Sequence, residues 1–395
     1  MGSPKKLLFL TLNTFSSTGG IEKVCRVAGK ALHQIAEEVG GHFEHYALYD
    51  EPAQVIENYI PKTVFRPFSG NRFAFLKKAI SAGRKTDVIL LSHVHLLAVG
   101  FAIKMLSPRT KVVLLAHGIE VWKPFSSWKV RMLKALDLVL PVSQFTQQKM
   151  QALYGLAPKK FGVLNNCLDP FLAPTESAER VAALRKKHGL TKEDIVLFTL
   201  TRLKSSEQYK GYDKVIAALP PVLQKYPAVK YLVAGKYDAE ERKRLDVMIE
   251  ELGLQDKVIF TGFIGDDEVA AYFTLPDVYV MPSTGEGFGI VFIEALFYGK
   301  PVIAGNVDGS VDALAGGQFG LLVNPAKKDE IVSALLEVLA KKNNYVPDGE
   351  AVQARFGFGP YVSRLKTLVF EQDLRKSAEE GTLTGHRSSL TNRVA

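Results

Sequence analysis

The run from Gly285 to Ala295, Gly-Glu-Gly-Phe-Gly-Ile-Val-Phe-Ile-Glu-Ala, constrains this 395-residue chain more than any other stretch. Gly285, Gly287 and Gly289 make a turn whose backbone N–H groups can face a ligand with no Cβ in the way. From Ile290 the apolar pattern continues through Leu296 to a stop at Gly299, with Pro301 just beyond, which predicts a helix. Asp277 to Pro282 reads as the strand that delivers the chain to this turn. Glu294 then lies on the helix near its positive end and Glu286 on the turn before it, so that two carboxylates face one pocket. Taken alone, the stretch is either a ligand-binding turn or an ordinary strand-to-helix connection carrying two solvated charges. A dinucleotide fingerprint does not fit, because G-x-G-x-x-G would need glycine where Ile290 stands.

The same strand-then-helix order recurs along the chain, which predicts an α/β architecture. In the first half, strands are expected at Lys6 to Asn13, Asp87 to His93, Lys111 to His117 and Asp137 to Ser143. In the second half they are expected at Asp194 to Thr201, Lys230 to Gly235, Lys257 to Gly262, Pro301 to Ala304 and Gly320 to Pro325. Gly19 and Gly20 fall between the first strand and a helix from Ile21, where free amides and the helix dipole favour an anion. His117 and Gly118 end a strand at the edge where open α/β sheets bind ligands. Ser143 is placed to cap the helix that begins near Gln144.

Composition limits the function classes. Hydrophobic residues make up 47% and charged residues 23%, the balance of a globular chain. The apolar run Leu7 to Leu12 falls well short of the ~20 residues a membrane helix needs. Cys25 and Cys167 are the only cysteines, which argues against a disulfide framework or a zinc site and for a cytoplasmic setting. Of the net charge of +9, residues 1–170 carry 22 Lys or Arg against 11 Asp or Glu, while the remainder carries 28 against 30. The first half therefore suits an anionic partner. Two of its stretches, Tyr59 to Lys85 and Val121 to Lys134, interleave basic and aromatic residues, as a membrane-surface helix does. An ordinary amphipathic helix with a solvated basic face fits the first of them equally well. No nucleic-acid module accompanies the charge, so nucleic acid is not expected as a partner.

The segment Met281-Pro-Ser-Thr-Gly-Glu-Gly-Phe-Gly-Ile-Val-Phe-Ile-Glu-Ala, continuing to Gly299-Lys-Pro-Val-Ile-Ala, resembles the Glu-x7-Glu motif of retaining glycosyltransferases, in particular glycosyltransferase family 4. The resemblance reaches from the first strand to Gln372 and is most specific over residues 195 to 300. It implies a GT-B fold, two Rossmann-like domains facing across a cleft: 1–170 for the acceptor, 171–355 for the nucleotide-sugar donor, a helix over 356–372 crossing back, and a disordered tail over 373–395. By the same resemblance Arg202, Lys210 and the amides of Gly19 and Gly20 would hold the donor's diphosphate. Glu286, with the amides of Phe288 and Gly289 beside Gly287 and Ile290, would bind the donor sugar. Glu294 would accept from the ribose hydroxyls, the backbone at Phe263 and Ile264 would line the base, and His117 would face the sugar. Four side chains, Glu286, His117, Arg202 and Lys210, are thereby the catalytic candidates.

This resemblance further implies no metal and no other cofactor, a UDP- or GDP-sugar as co-substrate, and a glycan or lipid-linked acceptor in surface polysaccharide or glycolipid synthesis. It departs from the family in three places: Thr201 stands where a glycine usually precedes the arginine, Cys167 replaces the glycine of an Asn-Gly-Val-Asp turn, and Asn306 to Asp312 replaces a Gly-Gly-x-Pro-Glu loop. Two other readings stay open: transfer to a soluble small molecule, and a noncatalytic sugar-nucleotide-binding protein on the same fold. The expected setting is cytoplasmic, with a peripheral seat on the inner face of the plasma membrane as its extension.

Overall fold

The short apolar runs become the strands of two parallel sheets. In the first, β1 (Lys6–Thr11), β2 (His42–Ala47), β3 (Phe65–Pro67), β4 (Val88–Leu91), β5 (Lys111–Ala116) and β6 (Leu138–Pro141) lie in the order 3-2-1-4-5-6. In the second, β7 (Ile195–Leu200), β8 (Val229–Ala234), β9 (Val258–Gly262), β10 (Val278–Met281), β11 (Val302–Gly305) and β12 (Leu321–Val323) lie in the order 12-11-10-7-8-9. The computed structural model describes residues 5–17 and 19–371. The expected tail over 373–395 lies outside them.

Helices cover both faces of each sheet, so the central strands are apolar along most of their length rather than alternating. Leu8, Ile89, Leu91, Val112 and Leu114 pack beneath the helices Arg72–Gly83, Leu97–Leu106 and Ser127–Ala135. Their neighbours in sequence, Leu7, Val88, Leu90, Val113 and Leu115, turn to the opposite face, against the helix Gly20–Glu38. The helix Phe358–Lys366 joins this second layer: Tyr361, Val362 and Leu365 are buried in the first domain's core, whereas Phe356 belongs to the second domain's. The chain does cross back, and it does so in two helices, Gly349–Phe356 and Phe358–Lys366, with Gly357 in extended backbone between them.

Two strands were not expected. β2 reads His-Phe-Glu-His-Tyr-Ala, with no apolar run, yet pairs along its whole length with β1 and buries Phe43, His45 and Tyr46. β3 has three residues. The Tyr59 to Lys85 stretch is helical only from Arg72, because Pro67 and a left-handed turn at Ser69 and Gly70 (φ 47° and 80°) precede Asn71. The Asn71 side chain caps that helix through the Ala74 amide at 3.0 Å, and Ser143 Oγ accepts from Thr146 N at 3.1 Å as the capping pattern required.

His45 is fully buried, its Nε2 3.0 Å from Thr11 Oγ1 and 3.2 Å from Thr14 Oγ1. Burial pulls its pKa from 6.5 to about 3. Between those values the unfolded chain binds a proton that the folded chain refuses, so stability falls as pH falls, by up to ~1.4 kcal/mol per pH unit from this residue. Melting temperatures measured from about pH 7 down to about pH 5 should therefore fall less steeply in His45→Gln than in the parent. An unchanged slope would show that the ring is not held neutral.

Candidate functional site

Strand order reverses between β1 and β4 in one sheet and between β7 and β10 in the other. Loops leaving the carboxyl ends of such strands diverge and open a crevice. Gly19 and Gly20 follow β1, His117 follows β5, Arg202 follows β7, Phe263 and Ile264 follow β9, and Glu286 to Ile290 follow β10. The fold thus brings the candidate residues to facing edges of two sheets.

The turn after β10 is held from within. Ser283 Oγ accepts from the Gly285 amide at 3.1 Å and donates to Asp308 Oδ2 at 2.8 Å. The Glu286 amide donates to the same oxygen at 2.7 Å, and Ser310 N to Oδ1 at 2.9 Å. Burial raises the Asp308 pKa, and these donors oppose the rise. Asp308 comes from the Asn306 to Asp312 loop, where the chain departs from the family pattern. Its acidity serves the turn.

The turn is also pressed between two backbones. A Cβ on Gly287 would lie 1.8 Å from the His117 carbonyl oxygen, and one on Gly309 would lie 2.0 Å from the Gly287 oxygen. Gly118, at φ 142°, completes the contact: its own Cβ would meet Gly287 Cα at 2.8 Å. The domains therefore touch main chain to main chain at the middle of the motif. Beside it, His117 Nε2 donates to the Ser92 carbonyl at 2.7 Å, and its Nδ1 is buried without a partner.

Each motif carboxylate takes a lysine. Glu286 pairs with Lys210, and both side chains are mostly buried. Burial alone would lower the Lys210 pKa, but the Glu286 carboxylate and its neighbours leave it raised. Glu294, 2% exposed, receives Lys23 Nζ on Oε1 at 2.9 Å. The Glu294 charge raises the Lys23 pKa against the effect of burial. Arg202 stands apart from these pairs. Its guanidinium meets Glu207 at 3.0 Å and remains largely exposed.

Gly19 forms the N-terminal boundary of the helix Gly20–Glu38, and no side chain caps that end among the described residues. Residues 14–17 before it are braced by two buried charges. Asp50, fully buried, accepts from the amides of Thr14, Phe15 and Ser16 at 2.7, 3.1 and 2.8 Å. Arg26 donates to the carbonyls of Thr14 and Ser17 at 2.9 and 2.7 Å. The Phe288 side chain is buried against Phe356, which leaves only its main chain for a ligand. Ile264 is buried and Phe263 is exposed. Sequence reasoning did not find Lys23, Asp50 or Asp308. Lys23 lies one turn past Gly19 and Gly20, but nothing local announces a partner 271 positions away.

Residues 18–170 match the family described as glycosyltransferase family 4, and residues 181–351 match glycosyl transferases group 1. The chain belongs to this glycosyltransferase family. Among its relatives, a GDP-mannose-dependent alpha-(1-6)-phosphatidylinositol monomannoside mannosyltransferase of Mycobacterium tuberculosis is 30% identical over 62% of this chain and 66% of its own length. An alpha-monoglucosyldiacylglycerol synthase of Streptococcus pneumoniae is 31% identical over 44% and 37%, and a 2-deoxystreptamine glucosyltransferase of Streptomyces kanamyceticus 29% over 51% of each. The chain thus spans about two thirds or less of these relatives. Among solved structures, Anabaena HepE, crystallised with UDP and glucose, superposes with a TM-score of 0.74 at 20% identity, covering 92% of this chain and 99% of that one. Sucrose-phosphate synthase from Thermosynechococcus elongatus gives 0.72 at 21%, covering 94% and 100%. Both share the GT-B fold of this family member.

Because Gly287 meets the opposite domain with no room for a methyl group, Gly287→Ala should push the domains apart while leaving both cores intact. Small-angle scattering should give a larger radius of gyration, with far-UV circular dichroism unchanged. An unaltered radius would mean that the contact does not set the closure.

Proposed function

We propose that this chain is a retaining glycosyltransferase that moves a hexose from a UDP- or GDP-sugar to a lipid-linked or glycan acceptor. The observation that carries the reading is the Lys210–Glu286 pair at the crevice. A sugar diphosphate joins a ring of hydroxyls to a dianion through one glycosidic oxygen, and a carboxylate beside a fixed ammonium matches the two halves at that spacing. Glu286 accepts from the sugar hydroxyls, while Lys210, Arg202 and the first-turn amides after Gly19 take the diphosphate. As the anomeric carbon–oxygen bond breaks, its electron pair goes to the leaving phosphate, and preorganised cations stabilise the added charge. The acceptor oxygen bonds to the same carbon on the same face and yields its proton to that phosphate. In this reading the cations do the work for which other transferases use a metal, and His117, locked against Ser92, borders the sugar.

A lipid-linked acceptor is favoured by the outer layer of the first domain. The adjacent helices Arg72–Gly83, Leu97–Leu106 and Ser127–Ala135 carry seven Lys or Arg and no Asp or Glu. They expose Phe73 (79%), Met105 (66%) and Trp128 (58%). Apolar side chains with a basic surround suit an anionic leaflet, where each cation contributes ~1 kcal/mol. The names of two of the relatives contain a glycolipid. Among the described residues, no helix is long and apolar enough to cross a membrane, and the proposed seat is peripheral and cytoplasmic. Surface polysaccharide or glycolipid synthesis is the process that needs such an enzyme.

Two measurements test the reading. At ~100 times its dissociation constant, UDP or GDP should stabilise the parent by ~2.7 kcal/mol in thermal unfolding, with the effect lost in Lys210→Ala and at least halved in Glu294→Ala. No response to any nucleoside diphosphate would remove the donor assignment. Binding to phosphatidylglycerol vesicles should weaken with added salt and in the Phe73→Ser, Trp128→Ser double variant. Turnover with no affinity for vesicles would instead favour a soluble acceptor.

A further inference from the structure

We infer that Lys23 is a positioning residue for the nucleotide's ribose: from the first domain it holds one oxygen of Glu294 and so leaves the other without a protein partner, to accept from a ribose hydroxyl. This rests on the donor assignment above.

Lys23 is the fourth residue of the helix Gly20–Glu38, and its ammonium crosses to the second domain to reach Glu294 Oε1 at 2.9 Å. Glu294 Oε2 is buried and has no hydrogen-bond partner. A carboxylate oxygen so placed is an open acceptor, costly to leave unmade. A small space of about 10 Å³ lies beside it, room for one water-sized group, bordered by Lys23, Val24, Cys167, Asp169, Glu294 and Tyr361 among others. Its acids repel phosphate and accept from hydroxyls, and its size suits a single hydroxyl. Phosphate is provided for elsewhere, at Lys210 and at the start of the Gly20 helix, one turn from Lys23.

Removing the ammonium would leave a buried carboxylate with no cation, which then takes up a proton or turns away. Either change spoils the acceptor without touching the rest of the donor cleft. Lys23 belongs to one domain and Glu294 to the other, so the ribose contact is complete only when the domains are together.

The test compares affinities for the nucleoside diphosphate that stabilises the parent and for its 2′,3′-dideoxy counterpart. Calorimetry is run on the full-length parent, Lys23→Met, Lys23→Arg and Glu294→Gln, with each variant's melting temperature as a folding control. The parent should prefer the ribonucleotide by about 10- to 100-fold, the worth of a hydrogen bond to a charged group. Lys23→Met and Glu294→Gln should both lose that preference while keeping the parent's affinity for the dideoxy form, and Lys23→Arg should restore it. If Glu294→Gln loses the preference and Lys23→Met keeps it, the role of Lys23 is overturned and the donor assignment stands. A Lys23→Met variant that binds both nucleotides more weakly by one factor has lost structure, and the inference fails. If the parent binds neither nucleotide, the donor assignment fails with it.

Discussion

Two carboxylates eight positions apart, both removed from water, cannot be tolerated without cations. Moving an unpaired carboxylate into a protein interior costs several kcal/mol even after relaxation. The side chains of Glu286 and Glu294 are 12% and 3% exposed, and each has one lysine. Those lysines come from different places, Lys210 from the connection after β7 in the same domain and Lys23 from the domain opposite. The motif is therefore electrostatically complete only in the closed arrangement. Closing it brings main chain against main chain, which explains why glycine stands at 118 and 287, on both sides of the contact.

How much of this was legible follows from the range of each interaction. The strand, turn and helix of the motif are written in neighbouring residues, and the sheets came from apolar runs whose ends mark the binding edge. β2 was hidden because its pattern is broken by His42, Glu44 and His45; it is held by pairing with β1 and by burial of a neutral imidazole. The Lys210–Glu286 pair unites two residues the resemblance had already named. The Lys23–Glu294 pair and the Asp50 clamp join segments 271 and about 35 positions apart, with no local signature. Arg202 shows the converse. Its place after β7 was readable, while its orientation toward Glu207 depends on a loop conformation that the sequence leaves undetermined.

The Asn306 to Asp312 loop departs from the family pattern and holds the motif's turn in place. Where relatives place other residues, this chain places a buried aspartate that gathers a hydroxyl and two amides, including that of Glu286. Asp312 of the same loop accepts from the Gln144 amide of the first domain at 3.0 Å. One short acidic segment thus braces the motif from behind and adds a polar contact across the cleft.

The two sides of the domain junction differ in what holds them. On one side, Phe356 is sunk in the second core and Tyr361, Val362 and Leu365 in the first, with Gly357 between. Withdrawing any one of these large side chains would cost ~1.5–3 kcal/mol. The other crossing of the chain lies beside this one, since the Leu168 amide donates to the Phe356 carbonyl at 2.8 Å. On the cleft side the contacts are polar: Lys23 with Glu294, the Gln144 amide with Asp312, and glycine backbones in apposition. Polar contacts exchange for water at a net ~0.5–1.5 kcal/mol each, somewhat more for the charged pair. The polar side is therefore the cheaper one to separate, and two adjacent crossings anchored in apolar cores give the separation an axis.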